Sequence, residues 1–270
     1  MLMSRAARSL VLFSLAILHT PDLDGGRTTF AHQAPAPTLM PRGIDFVENR
    51  GQWDSPARFA AWLGRDLAVS LEPGGVALSL EGKSTSFVRL RFEGASTGAA
   101  VVGEEKRAAV YNFFVGNDQR RWQTNVPAFG SVRYRGVYEG VDIRVLQRGD
   151  RLEDDVLLQP YADLEQVIGR AAGATGLEIA ADGALMIQTA AGPLRQTAPV
   201  TWEELPDGTT RRLESRFRRI DAERYGTPIT LSVTNGRDAI WSGACSSGGN
   251  KQRTCTLTLS GNASVAANVQ

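Results

Sequence analysis

Apolar and polar residues alternate in short runs along most of this chain, and turn-forming residues separate the runs. In Phe87-Val88-Arg89-Leu90-Arg91-Phe92, Val88, Leu90 and Phe92 fall on one face, while Phe87, Arg89 and Arg91 fall on the other. Successive side chains of a strand point to opposite sides, so this period of two suits a half-buried strand and not a helix. Leu67–Leu71, Val76–Leu80, Val141–Val145, Leu177–Ala180 and Thr254–Leu259 repeat the logic. Between them lie Glu72-Pro73-Gly74-Gly75, which combines the fixed φ of proline with the free φ of glycine, and Asp182-Gly183, a hairpin turn signal. Tyr138-Glu139-Gly140 reads as a further turn, in which glycine permits a positive φ. Helical signals are weak. Leu164–Arg170 offers a turn or two. Leu213, Phe217 and Ile220 fit helical spacing, but Leu213, Ser215 and Phe217 fit a strand, which the flanking turns favour. The expected class is all-β, with one or two antiparallel sandwich-like units.

The chain begins with Arg5 and Arg8, followed by the apolar run Ser9–Leu18. About ten apolar residues is the length of an export-signal core and about half of what a membrane span needs. Residues 1–20 are therefore expected to be a signal peptide, with the mature chain starting between Pro21 and Ala36. Residues 21–42 are Pro- and Gly-rich and aperiodic, a linker. No second long apolar run follows, so no transmembrane segment is expected in the mature chain. The main β domain is expected over 43–228, with a candidate subdomain break near 158–164, and residues 229–270 form a separate C-terminal module.

The distribution of reactive residues narrows the chemistry. Both histidines, His19 and His32, precede the β domain. No Ser-His-Asp or Cys-His nucleophile and no His-ligated zinc site can be assembled from 43–270. The two cysteines, Cys245 and Cys255, read as one structural disulfide in an exported chain. That bond would pin a C-terminal hairpin, with Thr254–Leu259 lying against the strand that ends near Cys245. The net charge is +1, which gives no pull toward nucleic acid.

Candidate contact residues remain. Trp122 belongs to an aromatic-rich stretch with Tyr111, Phe113, Phe114 and Tyr134, which reads as core first and as a carbohydrate-stacking platform second. Glu48 and Asp142 are polar residues among apolar neighbours. They serve either to satisfy buried backbone groups or as a carboxylate pair for glycoside hydrolysis. Glu153-Asp154-Asp155 suits a solvated strand face or a calcium site. On a strand, Arg212, Arg216 and Arg218 share an outer face around Glu214, a solvated surface or a contact for anionic envelope polymers.

Three stretches carry a family resemblance. They are Phe46–Gln52 (FVENRGQ), Tyr111–Asp118 (YNFFVGND) with its continuation to Val141-Asp142-Ile143, and Gly192–Gln196 (GPLRQ) with Ala198-Pro199. Over roughly residues 44–235 the chain resembles the N-terminal β domain of secreted bacterial proteins that carry SBBP β-propeller repeats. The resemblance implies a secreted or cell-surface, multi-domain context and carries over no catalytic residue and no cofactor. The Leu-x-Ile-Asp-Pro stretch that closes the domain in that family is missing here. Residues 229–270 instead resemble the end of a small secreted Ig-like repeat with paired cysteines. The expectation is an exported, non-catalytic structural or interaction protein, whose partners are envelope or extracellular polysaccharide or other surface proteins. The alternative is a carboxylate-dependent polysaccharide hydrolase or a carbohydrate-binding module.

Overall fold

The computed structural model describes residues 8–13, 44–64, 66–81, 85–149, 151–159, 162–204, 208–227, 229–232, 239–243, 251–252, 254–257 and 265–269. Among them every regular element is a strand except one 3₁₀ turn, and every strand pairing is antiparallel. The linker 21–42 and Cys245 lie outside the described residues.

The chain opens with β1 (Arg8–Phe13) and resumes with β2 (Phe46–Glu48). A meander follows: β3 (Phe59–Leu63), β4 (Leu67–Glu72), β5 (Gly75–Leu80) and β6 (Ser86–Glu93). The β4–β5 turn is the expected one, with Glu72 opposite Gly75 and Gly74 at φ +81°. In β6, Val88 and Leu90 are buried and Phe87, Arg89 and Arg91 face outward, as the alternation requires.

Two long strands come next, β7 (Ala100–Phe113) and β8 (Gln123–Tyr138), then β9 (Val141–Arg148) and β10 (Arg151–Leu158). The sixteen residues of β8 bridge the molecule. One edge pairs with β7. The other pairs with β2 at Ala128 and Phe129 and with β9 from Ser131 onward. One sheet, β2 to β6, is thereby joined to a second, β7 to β10.

After Leu158, where the sequence marks a candidate break, Leu164 is buried in the main core and opens a turn to Val167. β11 (Ile168–Ala172) then pairs with β6, returning the chain to the first sheet. β12 (Gly176–Ile179), β13 (Leu185–Gln188) and β14 (Leu194–Gln196) form a small sheet of their own. Gly183, at φ +83°, makes the expected hairpin turn.

β15 (Val200–Glu204) and β16 (Thr210–Ser215) form a hairpin, and β17 (Arg218–Arg219) pairs with β18 (Arg224–Gly226), which adds to β11. β19 (Ile229–Ser232) pairs with β16. The strands β20 (Ala239–Gly243), β21 (Lys251–Gln252), β22 (Thr254–Leu257) and β23 (Val265–Val269) complete the chain. One expectation is corrected here. β22, which carries Cys255, pairs with β19, placing Cys255 opposite Leu231. The strand ending near Cys245, β20, pairs instead with β21 and β23. Alternation identified Thr254–Leu257 as a strand but could not choose its partner.

The apolar faces of the sheets meet in one large core that includes Phe46, Leu71, Leu78, Val88, Tyr134, Ile143, Leu152, Ile187 and Leu194. Polar groups tie the sheets across it. The buried Tyr134 hydroxyl donates to the Gly75 carbonyl at 2.7 Å, and Tyr138 Oη donates to the Glu93 carbonyl at 2.9 Å. Phe92 meets Tyr134 edge-on at 5.2 Å. The arrangement is an antiparallel, sandwich-like fold, and β1 lies between β10 and β15 within it.

Candidate interaction surfaces

One end of the molecule is aromatic. The loop after β2 is organised by Asn49. Its Nδ2 donates to the carbonyls of Ala57 at 2.9 Å and Trp53 at 3.2 Å, and its Oδ1 accepts from Gly51 N at 3.0 Å. Gly51 sits at φ +100°, which explains a glycine in the Glu48–Gln52 stretch. The loop lays Trp53 over a second buried cluster of Val47, Phe113, Val126 and Ala128, on the far side of the sheet from the main core. Trp53 meets Phe113 edge-on at 5.1 Å and Trp62 at 5.7 Å. Trp62 remains 43% exposed, where an alternating strand would ordinarily carry a polar residue. Nearby in the sequence, Tyr111 Oη donates to Asp45 Oδ2 at 2.8 Å. Burial, with the Asp45 carboxylate adding to it, holds that phenol protonated far above its usual range.

The β7–β8 tip carries a second aromatic pair. Phe114 and Trp122 meet edge-on at 5.1 Å, and Phe114 is 61% exposed. Trp122 Nε1 donates to the Gly116 carbonyl at 3.2 Å, and Asp118 caps the 3₁₀ turn Gln119–Arg121 by accepting from Arg120 N. The aromatic stretch therefore divides. Tyr134 and Phe113 are buried, whereas Phe114 and part of Trp122 face solvent.

The outer face of β8–β10 is ionic. Opposite residues on antiparallel strands share a face, and Arg144 stands opposite Asp155. Asp155 is fully buried, and its Oδ2 accepts from Arg144 Nη2 at 2.6 Å and Arg148 Nη2 at 3.1 Å. Arg148 Nη1 reaches both Asp155 Oδ1 at 3.0 Å and Glu153 Oε2 at 2.7 Å. Arg133 lies between Glu104 at 2.9 Å and Asp142 at 3.6 Å. The two acidic groups Glu153 and Asp155 are thus held by guanidinium groups, and Asp154 points to the opposite face. Burial, followed by the charge of Asp155, pushes the Asp154 carboxyl up to about 7. Burial, followed by the charge of Asp154, raises the Tyr225 phenol.

The residues singled out in the sequence do not converge. Glu48 is ion-paired with Arg50 at 2.9 Å. Asp142 Oδ1 accepts from the backbone N of Gly136 at 2.7 Å, where the β8–β9 register shifts. Gly136 has φ +63°, so Asp142 secures a bulge. Arg212, Arg216 and Arg218 are all exposed, but β16 ends at Ser215 and the buried Phe217 interrupts the strand before β17. Trp53 and Trp62 escaped the sequence reading because neither sits in a periodic run of aromatics. Trp at the outward position of Phe59–Leu63 was the available signal. Among the described residues no group of three or more His, Cys, Asp and Glu side chains is placed to hold a metal ion. No helix there is long and apolar enough to cross a membrane.

Comparison with known proteins gives the chain its family. Residues 46–238 match the family described as Domain of unknown function (DUF7948), and the chain belongs to it. No curated protein and no solved structure matches.

Proposed function

We propose that this chain is an exported, non-catalytic interaction domain that works at or beyond the surface of a bacterial cell. The observation that carries the contact role is Trp62, a large apolar ring left 43% exposed and braced by Trp53. Large rigid aromatics supply contact area at small entropic cost and anchor many binding surfaces. Export is supported by the basic start and the apolar run Ser9–Leu18. The likeness to the SBBP-repeat proteins and to Ig-like modules, and the Cys245–Cys255 disulfide, belong to the same proposal. Arg212, Arg216 and Arg218 supply a basic surface for anionic envelope polymers.

A carbohydrate-binding module is the second reading, favoured by the braced and exposed indole of Trp62, since sugar rings stack on such faces. A hydrolase draws no support from Glu48 and Asp142, since Glu48 is ion-paired with Arg50 and Asp142 is engaged by the Gly136 backbone N and Arg133. The test is fractionation of cells expressing the whole reading frame, with N-terminal sequencing of the recovered protein. A mature start between Pro21 and Ala36 outside the cytoplasm is expected, and a cytosolic chain beginning at Met1 overturns export. Binding to envelope material that is lost in Trp62→Ala is expected, and undiminished binding removes the aromatic end from the contact.

A further inference from the structure

β1 does not lie at the edge of its sheet. It runs antiparallel to both β10 and β15, so that Val11 stands opposite Val156 on one side and Thr201 on the other. β10 and β15 are therefore parallel to one another, two strand spacings apart, roughly 9.5 Å. Across that gap they cannot hydrogen-bond. Without β1, two rows of backbone N–H and C=O groups face each other inside a sheet, the least tolerable place for unpaired edges. The family domain, residues 46–238, contains both flanking strands and excludes the strand between them. The domain thus carries a slot whose filling comes from outside it.

The slot has a chemistry. Its middle position is flanked by Val156 and Thr201, both buried, and so calls for an apolar residue. At one end Glu203 and Glu204 stand in register with Ser9 and Arg8, so a basic residue there is matched in charge. We infer that this slot is a strand-accepting site. After removal of the leader it takes an extended segment of a partner protein, about six residues long, apolar at alternate positions and basic at its start. Main-chain pairing to β10 and β15 supplies affinity, and the buried middle position supplies selectivity. The inference rests on the export reading, since the leader must leave for the slot to open.

The test uses the full chain with a protease site inserted within residues 21–42 and cleaved after folding. A labelled peptide of residues 7–14 is then added in excess. It is expected to replace the N-terminal fragment one for one and to keep slow to exchange those amides of 154–158 and 200–204 that point into the slot, away from β9 and β16. The same peptide carrying Val11→Pro, which lacks the central N–H, or Val11→Asp, is expected to bind at least tenfold more weakly. Fragment release without peptide uptake overturns the inference. So does protection of those amides with no peptide present, which would mean that β10 and β15 have closed on each other. Dimerisation of the nicked chain that the peptide cannot compete away also overturns it, by assigning the slot to a second copy. N-terminal sequencing separates this from the export reading: a chain that keeps Met1 refutes export whatever the peptide does.

Discussion

The ionic face of β8–β10 and the aromatic end around Trp62 are both conspicuous, and they differ in what remains unsatisfied. On the ionic face each charge has a partner: Asp155 is buried under two guanidinium groups, Glu153 shares one of them, and Arg133 lies between Glu104 and Asp142. Such a network fixes strand register and offers little to an incoming ligand, because any new contact must displace an existing one. At the aromatic end, Trp53 and Phe113 are packed but Trp62 keeps much of its ring in water, as does Phe114 at the hairpin tip. The contrast separates a surface that holds the fold from one that has interaction energy to spare.

The largest effect is expected from breaking the first region. Asp155→Ala leaves Arg144 and Arg148 without their buried partner and is expected to lower stability by about 3 kcal/mol, read by chemical denaturation. A loss below the error of that measurement would erase the distinction between the regions.

On the reverse face of the same strand, Asp154→Asn is expected to stabilise. Its folded-state value near 7 exceeds the ordinary 3.8, so between these pH values the folded chain binds the extra proton. Stability therefore falls as pH rises through that window, and the full penalty stands above pH 7. Asn carries no such penalty. The gain is expected to be about 2 kcal/mol at pH 8, discounted for partial exposure, and close to zero at pH 4. An equal gain at both pH values would show that charge is not the cause.

Tyr134→Phe removes a buried hydroxyl from the Gly75 carbonyl and is expected to cost about 1 kcal/mol without changing the fold, as thermal unfolding and circular dichroism would show. Trp62→Ala comes last in stability, within about 0.5 kcal/mol of the parent, yet first in binding. If it unfolds the domain, the aromatic end belongs with the ionic face as structure.

Period-two alternation made the strands legible, because burial on one face leaves its mark on every second residue. Val88 and Leu90 in β6 and the Asp182-Gly183 hairpin follow directly from it. Pairing was less legible. Nothing in Thr254–Leu257 says that its neighbour is Ile229–Ser232, since partner choice depends on the whole sheet. Arg8–Phe13 shows the same limit more sharply: an apolar run reads alike whether it enters a membrane translocation path or a sheet. Among candidate site residues, the polar character of Asp142 was evident, but its role at the Gly136 bulge depends on a local backbone shift that no composition reveals. Trp62 is a side chain whose meaning lies in which way it points, and that is fixed by the pairing of β3 with β2 and β4.

Strand β8 answers to three neighbours at once: β7 along one edge, and β2 and β9 in succession along the other. A single residue added near Gly130 would put the β2 half and the β9 half out of step and turn one set of inward side chains outward. Length variation in proteins built on this plan should therefore collect in the loops, and β8 should behave as a fixed ruler against which both sheets are measured.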